Sequence, residues 1–388
     1  MLVTETRPDA SPHTRYAPWF TSATEWIAAG TWCRTTQLGA GLAAWCTMMW
    51  RSARNFMAFA FGFEESEEDV VPTTQSEAAP LQPARCIPES ELRALLPEKL
   101  SFSPLSTAHG QEHAQLARRD LFDVRFQLLN EDKDVVDAST DLIPGVYEGG
   151  LKTWECALDL ITELAERIAD YRKQDASWPS GRHIAEIGCG TAVPTCYLLQ
   201  TLLTTESSGP TVVDLCDYNE QVLSLVVYPN LLLAWYFSAG PGANQPVEAG
   251  ELELDDALLA QFDDALRAKQ IQLRFFSGGW DTLSITDDQV PRVDVLLTSE
   301  TVYAVPRLPS LCDVLQQASW PTLLDTPNAG LAPRTTLCLV AAKVLYFGVG
   351  GGTQAFHIQL ARHRGWSIPC RQITTGVGRV VLRVGFEP

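Results

Sequence analysis

The stretch from His183 to Pro194 constrains the fold of this chain more than any other feature. It reads His-Ile-Ala-Glu-Ile-Gly-Cys-Gly-Thr-Ala-Val-Pro: an apolar run with an acid near its end, then two glycines and a helix start. The pattern predicts a strand that feeds a tight loop, because glycine lets the backbone turn sharply and approach a ligand closely. A second apolar run, Thr211–Asp217, also ends in an acid. In nucleotide-binding α/β sheets, an acid at the tip of the second strand hydrogen-bonds ribose hydroxyls.

The spacing of the glycines indicates which kind of nucleotide this loop suits. A dinucleotide fingerprint needs Gly-x-Gly-x-x-Gly, and Val193 stands where the third glycine is required. The form Glu-x-Gly-x-Gly-Thr instead resembles motif I of the S-adenosylmethionine-dependent methyltransferases. Glycine loops also follow strands as plain turns, so other parts of the chain must decide between these readings.

From Trp154 onward, helix-like and strand-like segments alternate along the chain. Helices are predicted at 154–174, 193–204, 219–236, near 308–319 and near 353–365. Strands are predicted at 183–187, 211–216, 271–276, 293–298, 335–342, around 369–375 and 379–385. Seven mostly parallel strands with a C-terminal antiparallel hairpin predict a Rossmann-like α/β sheet with helices on both faces. Such sheets bind ligands beyond the carboxyl ends of their strands, at the topological switch point.

The chain before this pattern divides into three parts by composition. Residues 1–56 carry five tryptophans and few acids, and we interpret them as a poorly ordered arm or a spurious extension before a natural start at Met57. The mass of the endogenous protein tests this hypothesis, and an amino terminus upstream of Met57 would contradict it. Residues 57–86 read as an acidic flexible linker. Residues 87–150 form a small accessory segment, with a short helix over 88–96 and a strand over 120–129, and residues 151–388 form the α/β domain.

Composition excludes several classes of function. The net charge of −18 argues against nucleic acid as the principal ligand and suits a basic partner, although many cytosolic proteins are simply acidic. The ten cysteines and six histidines show no metal-ligand spacing, so we expect reduced thiols and no metal site. The best membrane-span candidate, 39–63, is broken by Arg51 and Arg54, so no membrane association is expected.

Two segments supply candidates for holding a cofactor. Trp154 and Glu155 stand at a helix start that we expect Thr153 to cap, where they can line the edge of a pocket; an ordinary capped helix is the alternative. Asp217, followed by Tyr218, lies at a strand tip where a carboxylate can accept hydrogen bonds from a ribose diol; helix capping is the alternative.

Two further strand ends supply candidates for base recognition and for the acceptor side. In the turn at Gly279 and Trp280, exposed backbone groups can read an adenine edge while the indole covers its face, although a buried tryptophan in a turn is common. At the next strand end, Ser299 is followed by Glu300 and Tyr303, a carboxylate and a phenol that could orient a substrate nitrogen. Aromatic faces and a nearby carboxylate also favour a sulfonium cation. The glycine-rich stretch 342–352 suits a loop that grips a substrate.

Together these motifs resemble one family. Pro-Gly-Val-Tyr-Glu-Gly-Gly-Leu-Lys-Thr-Trp-Glu-Cys, Asp-Tyr-Asn, Phe-Phe-Ser-Gly-x-Trp, Leu-Thr-Ser-Glu-Thr-x-Tyr and Ala-x-Lys-x-x-Tyr-Phe-Gly-Val-Gly-Gly are similar, in this order, to motifs of the eukaryotic protein-histidine methyltransferases. That family modifies a histidine of a large-subunit ribosomal protein. The resemblance covers residues 57–388, and the first 56 residues match nothing in it. Gly279 is a departure, because an acidic residue is common at this position in the family.

The resemblance implies S-adenosylmethionine as the cofactor and a set of residues for each role. Cofactor-binding residues would be Trp154, Glu155, Gly188, Gly190, Asp217, Tyr218, Gly279, Trp280 and Ser299. Methyl transfer would go to an imidazole nitrogen, with Glu300 holding the proton of the other ring nitrogen and Tyr303 packing on the ring. The expected partner is a basic ribosomal protein. We expect the enzyme to be a monomer that is located in the cytoplasm and nucleus. A lysine methyltransferase of the same fold and a non-catalytic scaffold that chaperones a ribosomal protein are the alternatives.

Overall fold

The computed structural model describes residues 81–105, 116–130, 149–287, 292–322, 335–348 and 350–388. The strands in this part of the chain are β1 Arg85–Ile87, β2 Lys99–Leu105, β3 Leu116–Arg119, β4 His183–Ile187, β5 Thr211–Asp217, β6 Gly250–Glu253, β7 Ile271–Ser277, β8 Val295–Ser299, β9 Leu337–Lys343, β10 Gly365–Ile373 and β11 Arg379–Phe386. The helices are α1 Glu89–Ala94, α2 Leu121–Asn130, α3 Glu155–Arg172, α4 Val193–Thr204, α5 Glu220–Val222, α6 Tyr228–Ser238, α7 Asp256–Ala268, α8 Leu308–Ala318 and α9 Thr353–Arg362. A π-helical turn, Leu223–Val227, joins α5 to α6.

Eight of these strands form the central sheet, in the order β1-β7-β5-β4-β8-β9-β11-β10. The five strands from β7 to β9 in this order are parallel, while β1, β11 and β10 are antiparallel to their neighbours. The chain runs outward from β4 to β7 and then returns to β8 beside β4, so the switch point lies between β4 and β8. The Rossmann-like fold class with its C-terminal hairpin is confirmed. The number of strands differs, because β1 adds an eighth at the edge of β7.

The central strands are continuous apolar runs because they lie in the core. All five residues of β4 are buried, because helices cover both faces of the sheet. The helical stretch Glu220–Ser238 is apolar all round for the same reason. It is long and apolar enough to cross a membrane, but 78% of its most apolar window is buried inside the protein. We therefore describe it as a core helix.

The strand predicted at 120–129 is wrong: this segment is the helix α2. Alternation would place Phe122 and Val124 on the same face, yet Phe122 is exposed and Val124 is buried. Arg119, the last residue of β3, pairs with Asp123 in the first turn of α2, with 2.7 Å between Nε and Oδ2. The short helix predicted over 88–96 is present as α1.

Several elements had not been predicted. β3, β2 and β6 form a small antiparallel sheet in that order, so the accessory segment pairs with a strand of the α/β domain. The helix α7 has a sequence signal that was overlooked, since Asp255 caps it by accepting a hydrogen bond from the Leu258 N–H at 2.7 Å. The expected arm 1–56 and most of the expected linker 57–86 lie outside the described residues, and the domain boundaries stay predictions.

Candidate active site

A cavity of about 460 Å³ opens at the carboxyl ends of the parallel strands. This volume is typical of sites that hold small molecules. Ten of the eleven sequence candidates line it: Trp154, Gly188, Gly190, Asp217, Tyr218, Gly279, Trp280, Ser299, Glu300 and Tyr303. The eleventh, Glu155, lies beside the cavity. The structure thus brings the candidates together, while the role of each stays a prediction.

The loop after β4 offers bare backbone to the cavity. Gly188 has φ +63° and Gly190 has φ +51°, which favours glycine at both positions. A Cβ atom on Gly188 would lie 2.6 Å from Cγ2 of Thr301, closer than real side chains approach. The loop is therefore packed tightly against Thr301, in the chain that follows β8.

Asp217 is fixed at the tip of β5 by the chain itself. Its Oδ2 accepts a hydrogen bond from the Gly190 N–H at 2.9 Å, and its Oδ1 accepts one from the Asn219 N–H at 3.0 Å. The residue is only 7% exposed. The carboxylate thus ties the loop after β4 to the loop after β5 and is held in place at the cavity wall.

The turn after β7 differs from the expectation in its backbone. The N–H of Gly278 donates to the Asp217 carbonyl at 3.2 Å, and the N–H of Gly279 donates to the Gln82 carbonyl at 2.8 Å. The expectation that exposed backbone groups here read an adenine edge is therefore wrong for these two N–H groups. Trp280 follows them and lines the cavity, close to the glycine loop.

Glu300 stands at the acceptor end in an unusual backbone conformation. Its φ is +58°, a region that residues other than glycine rarely adopt and that often marks functional sites. Its side chain is 9% exposed, and Oε1 accepts a hydrogen bond from the Cys156 N–H at 3.4 Å. The same oxygen lies 3.3 Å from Nζ of Lys343. The carboxylate is thus held from two sides.

Lys343 and Tyr346 belong to the site but were not among the candidates. Lys343 is the last residue of β9, and its Nζ lies 3.4 Å from the Glu155 carboxylate and 4.5 Å from the centroid of the Trp154 ring. The Tyr346 hydroxyl accepts a hydrogen bond from the Lys343 N–H at 3.2 Å. Burial, and next the Glu300 carboxylate, raise the pKa of Tyr346, so the phenol stays protonated. The stretch 342–352 was the available signal, because it had been singled out as a substrate loop.

The start of α3 reaches the site in a different way from the one expected. Thr153 does not cap the helix, because its hydroxyl hydrogen-bonds with the Thr191 hydroxyl at 2.9 Å and Trp154 takes the N-cap position. The Glu155 side chain is 60% exposed and meets the site through Lys343. Two ammonium groups of the chain itself lie close to the Trp154 ring: Nζ of Lys343 is 4.5 Å and Nζ of Lys152 is 4.9 Å from its centroid.

Directly beneath the glycine loop, Glu186 is fully buried in β4. Burial raises its pKa to about 8, while hydrogen bonds from Thr195 to Oε2 oppose the shift. The other oxygen, Oε1, has no hydrogen-bond partner. Among the described residues there is no group of three side chains that could hold a metal ion.

No model of a known protein family matches the chain. The curated proteins similar to it include Histidine protein methyltransferase 1 of Schizosaccharomyces pombe, with 33% identity over 319 residues, which is 78% of this chain and 85% of that protein. The protein of the same name from Saccharomyces cerevisiae is 33% identical over 63% of this chain and 68% of its own length. A homolog from Bos taurus is 27% identical over 76% and 70%.

Among solved structures, the magnesium protoporphyrin IX methyltransferase of Synechocystis, determined with bound SAH, superimposes on 61% of this chain and 89% of its own at 9% identity and a TM-score of 0.32. The 33% identity to the S. pombe protein, over 85% of its length, assigns the family of this chain. The chain therefore belongs to the histidine protein methyltransferase 1 family of S-adenosylmethionine-dependent enzymes.

Proposed function

We propose that this protein transfers a methyl group from S-adenosylmethionine to an imidazole nitrogen of a histidine in a large-subunit ribosomal protein. Its membership of the family supports methylation of a protein histidine. The motif resemblance that runs through residues 57–388 supports the ribosomal substrate. The observation that carries the proposal is one cavity with the glycine loop and Asp217 among its lining residues, together with Glu300 and Tyr303.

The residues around the cavity fit the cofactor. Asp217 is an ionisable carboxylate that the chain holds in a fixed position, as the recognition of a ribose diol requires. Bare backbone at Gly188 and Gly190 allows close approach, and Trp280 supplies a flat face for adenine. When bound, S-adenosylmethionine supplies an electrophilic methyl group on a sulfonium.

The acceptor side orients an imidazole rather than activating it. An imidazole with an unperturbed pKa of about 6.5 is mostly neutral at cytosolic pH, so no strong base is needed. Glu300 accepts the hydrogen bond of one ring N–H, which selects the tautomer and turns the other nitrogen toward the methyl group. Lys343 holds the Glu300 carboxylate in place through the 3.3 Å contact between Nζ and Oε1. Tyr303 packs on the ring, and alignment of this kind is worth about 7–11 kcal/mol.

Transfer of a labelled methyl group tests the proposal. The purified protein is incubated with labelled S-adenosylmethionine and hypomethylated large-subunit ribosomal protein, and the modified residue is identified by mass spectrometry. We expect methylhistidine from the unmodified enzyme and none from Asp217→Ala. Asp255→Ala removes a carboxylate that caps α7, and it serves as the control that keeps transfer.

The other outcomes decide between the alternatives. Methyllysine would contradict a histidine acceptor, and its rate would rise well above neutral pH because a lysine amine must first lose a proton. Binding of the cofactor without transfer to any protein would contradict an enzyme and favour the scaffold.

A further inference from the structure

A short segment of chain before β1 forms part of the cavity wall. Leu81 lines the cavity and is half-buried there, although the next residue along the chain that lines it is Gly149. We call residues 81–84 the strap. No role had been expected for the strap, because it falls within the stretch 57–86 that reads as a linker.

Hydrogen bonds fix the strap to the turn after β7. The Gly279 N–H donates to the Gln82 carbonyl at 2.8 Å. The Ala84 N–H donates to the Thr282 hydroxyl oxygen at 2.7 Å. The strap then continues directly into β1, which pairs with β7. It is therefore held on both sides of Trp280.

The strap packs so closely on this turn that the turn has no room for side chains. A Cβ atom on Gly278 would lie 2.5 Å from the Pro83 carbonyl oxygen. A Cβ atom on Gly279 would lie 2.9 Å from Cβ of Leu81 and would also meet the Asp281 carboxylate. Position 279 is the one at which this chain departs from the acidic residue common in the family. Here the space beside it is filled by Leu81.

The sheet order places Leu81 at the opposite end of the cavity from the acceptor. The turn after β7 and Glu300 after β8 are separated by three strand spacings, about 14 Å in all. Asp217 follows β5 and lies between the two. A cofactor with its ribose at Asp217 and its sulfonium toward Glu300 therefore directs its base toward Leu81 and Trp280.

The strap also changes what the turn can offer to a base. The Gly278 N–H donates to the Asp217 carbonyl and the Gly279 N–H donates to the strap, so neither of these two donors is left for the edge of an adenine. What the strap supplies in exchange is the apolar side chain of Leu81. Contact between an aliphatic side chain and the flat face or edge of a base is favourable, because both remove apolar surface from water.

We propose that Leu81 contacts the base of S-adenosylmethionine and encloses it against the turn that carries Trp280. The cofactor-binding residues that the motif resemblance implies all lie at or after Trp154, so this inference adds a separate segment of the chain to the site. It rests on the cofactor of the proposed function and not on its acceptor. Leu81 is thus a binding residue for the cofactor, and the strap is the element that positions it.

Calorimetric binding to Leu81→Ala tests this proposal. We expect the Kd of S-adenosylmethionine to rise about tenfold, because apolar contact with the base is lost. The Kd of 5′-methylthioadenosine, which keeps the base and ribose but lacks the amino-acid part, should rise by the same factor. Leu81→Met, which keeps an apolar side chain of similar size, should stay within threefold of the unmodified protein. Leu95→Ala is the matched control, because Leu95 is 38% exposed at the end of α1 and does not line the cavity.

The other outcomes separate this proposal from the proposed function. An unchanged Kd in Leu81→Ala, or weaker binding of S-adenosylmethionine with unchanged binding of 5′-methylthioadenosine, contradicts a contact with the base. If Leu81→Ala does not fold, Gly279→Ala replaces it, because the added Cβ atom displaces Leu81, and a normal Kd then contradicts the contact. Weaker binding in Leu81→Ala supports the contact even if the unmodified enzyme forms no methylhistidine, a result that overturns only the proposed acceptor.

Discussion

Glu300 has a backbone conformation that few residues other than glycine adopt. It lies at the place where the proposed chemistry occurs. A left-handed φ of +58° costs on the order of 1 kcal/mol for a residue with a Cβ atom. The surroundings maintain it, since the Glu300 N–H donates to the Ala341 carbonyl at 2.9 Å and the carboxylate is held by Cys156 and Lys343. Because neighbouring residues maintain this strained conformation, we infer that the position of the carboxylate matters for function.

Replacing Glu300 with alanine tests this position. We expect kcat for methyl transfer to fall about 100-fold, because the imidazole loses the group that selects its tautomer and orientation. The Kd of S-adenosylmethionine should stay within twofold. Single-turnover rates and calorimetric binding measure the two quantities separately. An unchanged kcat with normal cofactor affinity would show that Glu300 does not orient the acceptor.

Glu186 makes the stability of the protein depend on pH in an unusual direction. Burial raises its pKa from the ordinary 4.5 to about 8. Between these values the unfolded chain ionises while the folded protein keeps the proton, so stability is full below pH 4.5 and falls as pH rises toward 8. The loss is on the order of 5 kcal/mol.

Glu186→Gln removes this dependence, because an amide of the same shape cannot ionise. We expect the variant to match the unmodified protein near pH 5 and to exceed its free energy of unfolding above pH 8. Chemical denaturation at pH 5, 6.5 and 8.5 provides the measurement. Parallel pH curves for the two proteins would mean that this carboxyl does not titrate in the window.

At the scale of elements, one side chain connects the small sheet to the cofactor loop. Asn230, buried in α6, accepts a hydrogen bond from the Arg119 N–H of β3 at 2.7 Å. Its Nδ2 donates to the Thr191 carbonyl of the glycine loop at 2.8 Å. The Arg119 guanidinium also donates to the carbonyl of Leu225, in the π-helical turn, at 2.8 Å. The accessory elements therefore support the loop that shapes the cavity.

Asn230→Leu removes the two hydrogen bonds that connect the small sheet to the glycine loop. We expect a loss of about 1–3 kcal/mol in stability, because the Arg119 N–H and the Thr191 carbonyl lose a buried partner, and a Kd for S-adenosylmethionine raised about tenfold. Thr336→Val is the control: its hydroxyl donates to the Val293 carbonyl at 2.6 Å, and it does not line the cavity. It should lose similar stability with unchanged cofactor affinity. If Asn230→Leu also leaves the cofactor Kd unchanged, the link is structural only.

The elements also show where prediction from the sequence succeeds and where it stops. The central strands could be predicted because strands buried on both faces are apolar runs, as in β4 and β8. β1, β2 and β6 are short or half-exposed, and their partners lie far away in the chain, so local pattern does not reveal them.

Within the site, too, local sequence predicts some residues and misses contacts between distant segments. Strand ends pointed to Asp217 and Glu300, but the contact of Glu300 with Lys343 joins the ends of two strands and has no local signature.

At the scale of the whole molecule, the net charge of −18 has a measurable consequence for the proposed encounter with a basic ribosomal protein. Attraction between opposite net charges raises association rates and is screened by salt over about 10 Å at 0.1 M. We expect kcat/KM for the ribosomal protein to fall severalfold between low and high salt, while kcat at saturation changes little. The same titration with an uncharged histidine peptide is the control. A kcat/KM for the protein that is independent of salt would argue against electrostatic steering.

The position of β11 has a consequence for how the chain reaches its native state. β10 comes directly after α9 along the chain, yet β11 is the strand that pairs with β9, and among the described strands β10 pairs with β11 alone. Until the hairpin has formed and docked, β9 presents a row of unpaired backbone groups, which is a template for pairing with other chains. Completion of the sheet thus depends on a contact between β9 and the later arm of the hairpin. Because its turn carries Val377, the event that closes this edge also completes the mouth of the cavity.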